Sequence, residues 1–316
     1  GIGYYLPPEV QTSKQLSKLI NKSEEWIISR TGILERRISK IDVDEMGAEA
    51  AKNALNSASR EPDLILNASG VPKQTIPDTS VFIQKKLGLS GIPSFSIHAT
   101  CLSFIIALKT AACFIEQNVY KRILIVSSDR GTRGRNLNQP ESASLLGDAA
   151  AAILLEKSTE NDPSKFLYSN MKTIPNAASL TEVRGGGTNK HPQDNDTTDE
   201  DNLFSMNGPQ IYKIARLEVS KMISDDLKKN NIKRKEIKLL IPHQASGMVV
   251  KAYSKYGKFS ENQVINIISN TGNCVSASIP LALAMAHENR QFDRGDLLYF
   301  IGTGAGLSIA SAIIKY

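Results

Sequence analysis

Twice along this chain a strand-like apolar run breaks at a polar junction and resumes as an apolar stretch of helical spacing. The first junction is Ser96-Ile-His-Ala-Thr-Cys-Leu-Ser-Phe104, ahead of a helix-like stretch from Leu102 to Gln117. The second is Thr271-Gly-Asn-Cys-Val-Ser-Ala-Ser-Ile-Pro280, ahead of one from Ala277 to Asn289. Strands alternating with helices define an α/β class. A repeat of strand, reactive junction, buried helix and strand narrows this to two pseudo-duplicated α/β halves with buried central helices.

In the first half, strands are expected at Leu64–Leu66, Ser94–Ile97, Arg122–Val126 and Ala150–Leu155, with helices at Asp44–Ser57 and Thr79–Leu87 capped by Asp44 and Thr79. The helix from Leu102 is apolar on nearly every side and belongs inside the molecule, with Cys113 packed in it. A polar interval from Glu156 to Ser164 divides the chain into an N-terminal half, 1–160, and a C-terminal half, 161–316. The second half is expected to form helices at Gln210–Lys228 and Ser246–Tyr256, and strands at Lys238–Ile241, Val264–Ile267, Leu297–Ile301 and Leu307–Ile314. Gly1-Ile-Gly reads as the end of a strand whose earlier residues are missing.

At 316 residues and 41% hydrophobic content the chain can bury a large core. A net charge of +6 suits acidic partners, but aromatics are only 6% and are not interleaved with basic residues as base-stacking platforms would be, which disfavours nucleic acid. No apolar run is long enough for a membrane span, and the start lacks a signal-peptide layout. Three cysteines, an odd number in small or apolar surroundings, argue against a secreted disulfide framework and for a reducing cytoplasm. From Thr181 to Met206 no periodicity survives, so a long exposed loop is expected. Its Asp194-Asn-Asp-Thr-Thr-Asp199 lacks the glycine a calcium loop needs at its sixth position, and no metal site is expected.

Three junction residues carry chemistry. Cys101 is either a small buried hydrophobe or a nucleophile; at the first turn of a helix its sulfur would feel unpaired amides and the positive end of the dipole, which favour thiolate. His243 follows an apolar strand in Ile241-Pro-His-Gln-Ala-Ser246 and is either catalytic or a backbone-bonded cap. Asn273 alone reads as a turn residue.

Taken together, Glu25-Trp-Ile-Ile-Ser-Arg-Thr-Gly-Ile33, the Cys101 junction, Gly147-Asp148, Met206-Asn-Gly208, His243-Gln-Ala245, Gly272-Asn273 with Ser276-Ala-Ser-Ile-Pro280, and Gly304-Ala-Gly306 resemble β-ketoacyl-acyl-carrier-protein synthase III among the thiolase-fold condensing enzymes. The resemblance covers nearly the whole chain. It implies a cytoplasmic, homodimeric acyltransferase with a thiolase-like fold. Cys101 would take an acyl group from a coenzyme A thioester and pass it to the carbanion left when a malonyl thioester, on acyl carrier protein or coenzyme A, loses carbon dioxide. No further cofactor is implied. His243 and Asn273 would donate to the malonyl thioester oxygen, and amides at Cys101 and in Gly304-Ala-Gly306 to the acyl oxyanion. Trp26 and Arg30 would share a helix face against the adenine end of coenzyme A, Arg130 to Arg135 would meet its phosphates, and Met206, Tyr212, Ala245 and Ser246 would line the pantetheine channel.

Departures from the family bear on substrate and partner. Ser246-Gly-Met248 stands where housekeeping synthases continue with Asn and soon an Arg that meets the carrier protein; Lys251, Lys255 and Lys258, or Lys228, Lys229, Lys233, Arg234 and Lys235, are the substitutes available. Cys274-Val275 follows Asn273 in place of the usual Thr, and His98 and Thr100 precede the nucleophile where smaller residues are commoner. Ile76 stands where a bulky aromatic often closes the acyl tunnel of the neighbouring subunit, so a longer or branched acyl group is expected. Competing readings are transfer of the acyl group to an amine, hydroxyl or β-keto thioester, a non-catalytic carrier-binding subunit, and a papain-like hydrolase; the last has no local signature around Cys101.

Overall fold

The computed structural model describes residues 1–316. In chain order the first half contains β1 (Ile2–Tyr5), β2 (Glu9–Thr12), α1 (Ser13–Ile20), α2 (Glu24–Thr31), β3 (Glu35–Ile38), α3 (Val43–Ala58), β4 (Leu64–Asn67), α4 (Thr79–Leu87), β5 (Ser94–Ser96), α5 (Ser103–Glu116), β6 (Arg122–Arg130), α6 (Pro140–Ala143) and β7 (Asp148–Glu156). The second contains β8 (Lys165–Thr173), β9 (Thr181–Glu182), β10 (Ser205–Met206), α7 (Gly208–Lys229), β11 (Ile237–Pro242), α8 (Gly247–Gly257), α9 (Ile268–Thr271), α10 (Ser278–Glu288), β12 (Leu297–Gly304) and β13 (Ser308–Lys315).

Two sheets carry the architecture, ordered β1-β7-β6-β4-β5 and β8-β13-β12-β11. In each, a central pair runs parallel (β4 with β6, β11 with β12), the strand that follows in the chain (β7, β13) pairs antiparallel to β6 or β12, and the first strand of the half (β1, β8) lies antiparallel outside it. The internal duplication is therefore topological as well as sequential. It extends to the fifth strand, because Val264 bridges Leu240 parallel to β11, where β5 lies parallel to β4 in the other sheet.

The expected strand Val264–Ile267 goes no further than that bridge. Ile265 N–H donates to Leu240 O, but Ile267 N–H is taken by the Gln244 side chain at 3.0 Å and the chain turns into α9.

Helices α5 and α10 lie between the sheets. Their Phe104, Ile105, Leu108, Ile279 and Leu283 share one core cluster with Leu66 and Ile125 of the first sheet and Ile241 and Phe300 of the second. Flanking layers close the outer faces: α3 over the first sheet, with Met46, Ala50 and Ala54 against Leu124 and Val126, and α7 with α8 over the second, with Ile223 and Tyr253 against Tyr299 and Ile309. Burying each helix face against a sheet is the main stabilising contribution, at roughly 25 cal/mol per Å² of apolar surface.

Several local expectations are corrected. Asp42 and Asp78, not Asp44 and Thr79, cap α3 and α4, with side chains accepting from Val43 and Ser80 N–H. Asp44 is buried and paired with Lys73 at 2.7 Å, and Thr79 Oγ1 accepts from Lys73 N–H. Cys113 is exposed, on the outer side of an α5 whose other positions are mostly buried. Within the long segment after Thr181, the two-residue strands β9 and β10 pair Thr181 with Met206 and close the loop at its base. No helix is long and apolar enough to cross a membrane.

Candidate active site

The two central helices are entered by the same device. Ahead of α5, residues Thr100–Leu102 form a 3-10 turn, Thr100 lies in the left-handed region at φ 53°, and Ser103 Oγ accepts from Ala99 N–H at 2.9 Å. Ahead of α10, residues Val275–Ala277 form a 3-10 turn, Val275 lies at φ 50°, and Ser278 Oγ accepts from Cys274 N–H at 3.0 Å. A β-branched residue at positive φ is strained, and such strain persists where its surroundings over-determine it. The duplicated turns pack against each other, which brings the Cys101 and Asn273 loops together.

Asn273 is fixed on all sides. Its backbone N–H donates to Leu145 O, its carbonyl accepts from Gly147 N–H, and its Oδ1 accepts from Val275 N–H at 2.9 Å. The amide nitrogen approaches Ala245 O at 3.4 Å, leaving its second hydrogen available. Only glycine fits beside it: a Cβ on Gly147 would stand 2.1 Å from Thr271 O, and Gly272 lies at φ 68°.

His243 leaves β11 with its N–H donating to Ile301 O at 2.8 Å, and is 3% exposed. Gln244, fully buried, donates to Pro242 O and Ile265 O, so it ties the histidine segment to its neighbour. The imidazole Nδ1 is buried without a hydrogen-bond partner. An unpaired acceptor is tolerated better than an unpaired N–H, so the proton belongs on Nε2. Burial lowers the histidine to about 4, which keeps it neutral.

Cys101 is half-buried. Burial first, and then the carboxyl of Asp129, push its thiol up to about 12, against the N–H groups of Cys101 and Ala305, which face the sulfur. The expected thiolate-favouring helix end therefore does not dominate; α5 begins only at Ser103. Asp129, at the end of β6, is fully buried and accepts from Gly70, Val71 and Ala277 N–H at 2.8, 3.0 and 3.1 Å, tying the loop after β4 to the turn after Asn273. Burial lifts it to about 7. Sequence reading missed this residue, for which a lone acid ending an apolar strand was the available signal.

One cavity of about 870 Å³ is lined by Cys101, His243 and Asn273 and by Arg30, Met206, Tyr212, Ala245, Ser246, Gly304 and Ala305. Gln139 holds Met206 through both backbone groups, and Ser246 caps α8 by accepting from Val249 N–H. Trp26 and Gly306 do not line it; Trp26 packs beside Leu16 and Ile27 with Lys22, not Arg30, 5.5 Å from its ring. Within the basic run, Arg130 donates to Ser39 O and Arg135 to Leu146 O and Gln11, so these two guanidiniums are engaged in the fold, while Arg133 is exposed. No cluster of His, Cys, Asp or Glu is arranged to hold a metal ion.

These features define a thiolase-fold condensing enzyme. Residues 95–175 match the family described as 3-oxoacyl-[acyl-carrier-protein (ACP)] synthase III, and residues 227–316 match its C-terminal part. The β-ketoacyl-[acyl-carrier-protein] synthase III of Vesicomyosocius okutanii is 34% identical over 100% of this chain and 98% of its own length. The crystal structure of the Aquifex aeolicus 3-oxoacyl-[acyl-carrier-protein] synthase III superposes with a TM-score of 0.91 at 31% identity, covering 100% of this chain and 98% of that one. The priming β-ketosynthase of the R1128 polyketide pathway gives 0.90 at 26% identity, covering 99% and 94%. The chain belongs to the β-ketoacyl-acyl-carrier-protein synthase III family and is a condensing acyltransferase.

Proposed function

We propose that the chain condenses an acyl group from a coenzyme A thioester with a malonyl thioester through an acyl-Cys101 intermediate. The observation that carries this reading is the convergence of Cys101, a neutral His243 and a fixed Asn273 on one cavity. Cys101 sulfur attacks the acyl carbonyl, the oxyanion is received by Cys101 and Ala305 N–H beside Gly304 and Gly306, and coenzyme A leaves as its thiol. His243 Nε2–H and Asn273 Nδ2–H then hold the malonyl thioester oxygen as carbon dioxide departs and the new carbanion attacks the acyl-cysteine. Each fixed donor of this kind contributes roughly 3 kcal/mol to the barrier. With the thiol high and His243 low, no resting thiolate–imidazolium pair forms; the Cys101 proton is lost as the sulfur attacks and ends on the departing coenzyme A sulfur.

The N-terminal half, 1–160, supplies the nucleophile and the C-terminal half, 161–316, the two donors. Arg30, Met206, Tyr212, Ala245 and Ser246 bind the pantetheine arm, and Trp26 meets the ligand outside the cavity. Acyl carrier protein delivers the malonyl group against the exposed Lys251, Lys255 and Lys258 of α8 and its end. The unpaired edge of β5, with Phe95, Val71 and Ile76 exposed around it, pairs with a second copy in a homodimer. Three free cysteines suit the cytoplasm.

Intact-mass measurement of the protein with a panel of acyl-coenzyme A donors tests the reading. A single acyl adduct that disappears in Cys101→Ser is expected; persistence of the adduct in that variant would overturn it.

A further inference from the structure

The cavity does not end beside the residues assigned to the pantetheine arm. It continues between α7 and α8, where Ala215, Val219 and Ile223 of one helix face Val249, Ala252 and Tyr253 of the other. Both sets recur at helical spacing, so each helix contributes one continuous face. From Ile211 to Ile223 the groove runs about 18 Å at the rise of an α-helix.

Its far end is deep. Ile223 is fully buried and Tyr253 is 4% exposed, both within the core cluster under the second sheet. At the floor, a Cβ on Gly257 would stand 3.2 Å from Ile223 Cδ1 and from the Phe259 ring. Polar groups gather at the rim, where the Arg216 guanidinium lies 5.2 Å from the Tyr256 ring. Among the lining side chains deeper in, the polar atoms are the Ser220 hydroxyl, which already donates to Arg216 O, and the Tyr253 hydroxyl, which burial keeps un-ionised. Pantetheine amides buried there would find few partners, whereas a hydrocarbon chain needs none.

The groove opens on the stretch from Ala245 to Val249, which begins two residues after His243, and Ala245 O accepts from the Asn273 amide nitrogen at 3.4 Å. It therefore starts beside the groups assigned to the malonyl thioester. We propose that it receives an alkyl chain carried at C2 of a malonyl-type partner, so that the product is a 2-alkyl-3-ketoacyl thioester; this rests on the condensing reading above. The C2–carboxylate bond breaks and releases carbon dioxide, and its electron pair forms the bond from C2 to the acyl carbonyl carbon. The bond from that carbon to Cys101 sulfur breaks, and the thiolate takes up a proton. The C2–alkyl bond is untouched.

The test compares malonyl, 2-methylmalonyl and 2-octylmalonyl thioesters, on coenzyme A and on carrier protein, after Cys101 has been acylated. The wild type should convert the octyl compound with kcat/KM within about tenfold of malonyl. Val219→Phe and Ala252→Trp, which plug the groove, should each lower that value by at least about tenfold while leaving malonyl nearly unchanged; Ala215→Phe serves if either plug fails to fold. Release of carbon dioxide from malonyl but not from 2-octylmalonyl in the wild type would overturn the groove assignment alone, and so would plugs that depress both substrates equally, since the groove would then carry the pantetheine arm. Absence of the acyl adduct and of carbon dioxide release with every partner would sink the condensing reading and this inference with it.

Discussion

The side-chain oxygen of Asn273 accepts a hydrogen bond from Val275 N–H at 2.9 Å, and with the amide nitrogen 3.4 Å from Ala245 O that contact sets which way the amide points. With the oxygen occupied, the nitrogen is the end left for the enolate of the proposed condensation. Asn273→Asp keeps the shape but offers only an acceptor and a like charge. Carbon dioxide release from malonyl thioester should fall by at least two to three decades, while acylation of Cys101, followed by intact mass, stays close to wild type. Equal loss of both would remove Asn273 from the second half-reaction.

Burial and Asp129 hold the Cys101 thiol up at about 12. Alkylation of Cys101 by iodoacetamide, followed by peptide mass spectrometry, should therefore keep climbing with pH through the alkaline range, because the thiolate is the reactive form. A plateau near neutral pH would show that the thiolate is already formed in the free enzyme.

Burial lowers His243 from 6.5 to about 4. Between those values the unfolded chain binds a proton that the folded chain refuses, so stability is lost as pH falls through that window, by up to about 3 kcal/mol. Asp129 acts in the opposite sense, since its carboxyl is raised from 3.8 to about 7 and the folded chain holds the extra proton there. Comparing His243→Asn with wild type isolates the histidine: urea denaturation near pH 7 and near pH 4 should show the smaller acid loss in the variant. An unchanged acid loss would mean that His243 is protonated in the native protein.

How far the sequence discloses this arrangement depends on the range of the interactions involved. Apolar runs such as Arg122–Val126 and Leu297–Ile301 announce strands because burial on both faces writes itself into consecutive residues. The strand β8 was missed because it is an edge strand whose exposed Lys165, Leu167 and Met171 break the pattern. Cap positions differ by a residue or two where Asp42 and Asp44, or Asp78 and Thr79, compete, and what separates them is that Asp42 and Asp78 accept from first-turn amides while Asp44 and Thr79 meet only Lys73, which Asp42 also pairs with. Cys101, His243 and Asn273 were legible through motif order. The role of Asp129 was not, since it consists of hydrogen bonds to two loops far away in sequence. The groove between α7 and α8 was equally hidden, because its lining has the same apolar spacing as ordinary packing.

Gly147 and Gly134 separate the demands of packing from those of glycine as a residue type. A Cβ on Gly147 would sit 2.1 Å from Thr271 O and 3.3 Å from Arg36 Cβ, whereas Gly134 has no atom within 4 Å of the same position and neither residue has positive φ. Gly147→Ala must therefore push the backbone that carries Gly272 and Asn273, costing about 3 kcal/mol in unfolding free energy. Because Gly147 N–H also donates to Asn273 O at 3.0 Å, the displacement reaches Asn273, the proposed enolate donor, before it reaches Cys101. Carbon dioxide release should fall further than the rate of Cys101 acylation, and Gly134→Ala should change stability by no more than about 0.5 kcal/mol. If Gly147→Ala proved as silent as Gly134→Ala, the close packing that fixes Asn273 would not be what sets its position.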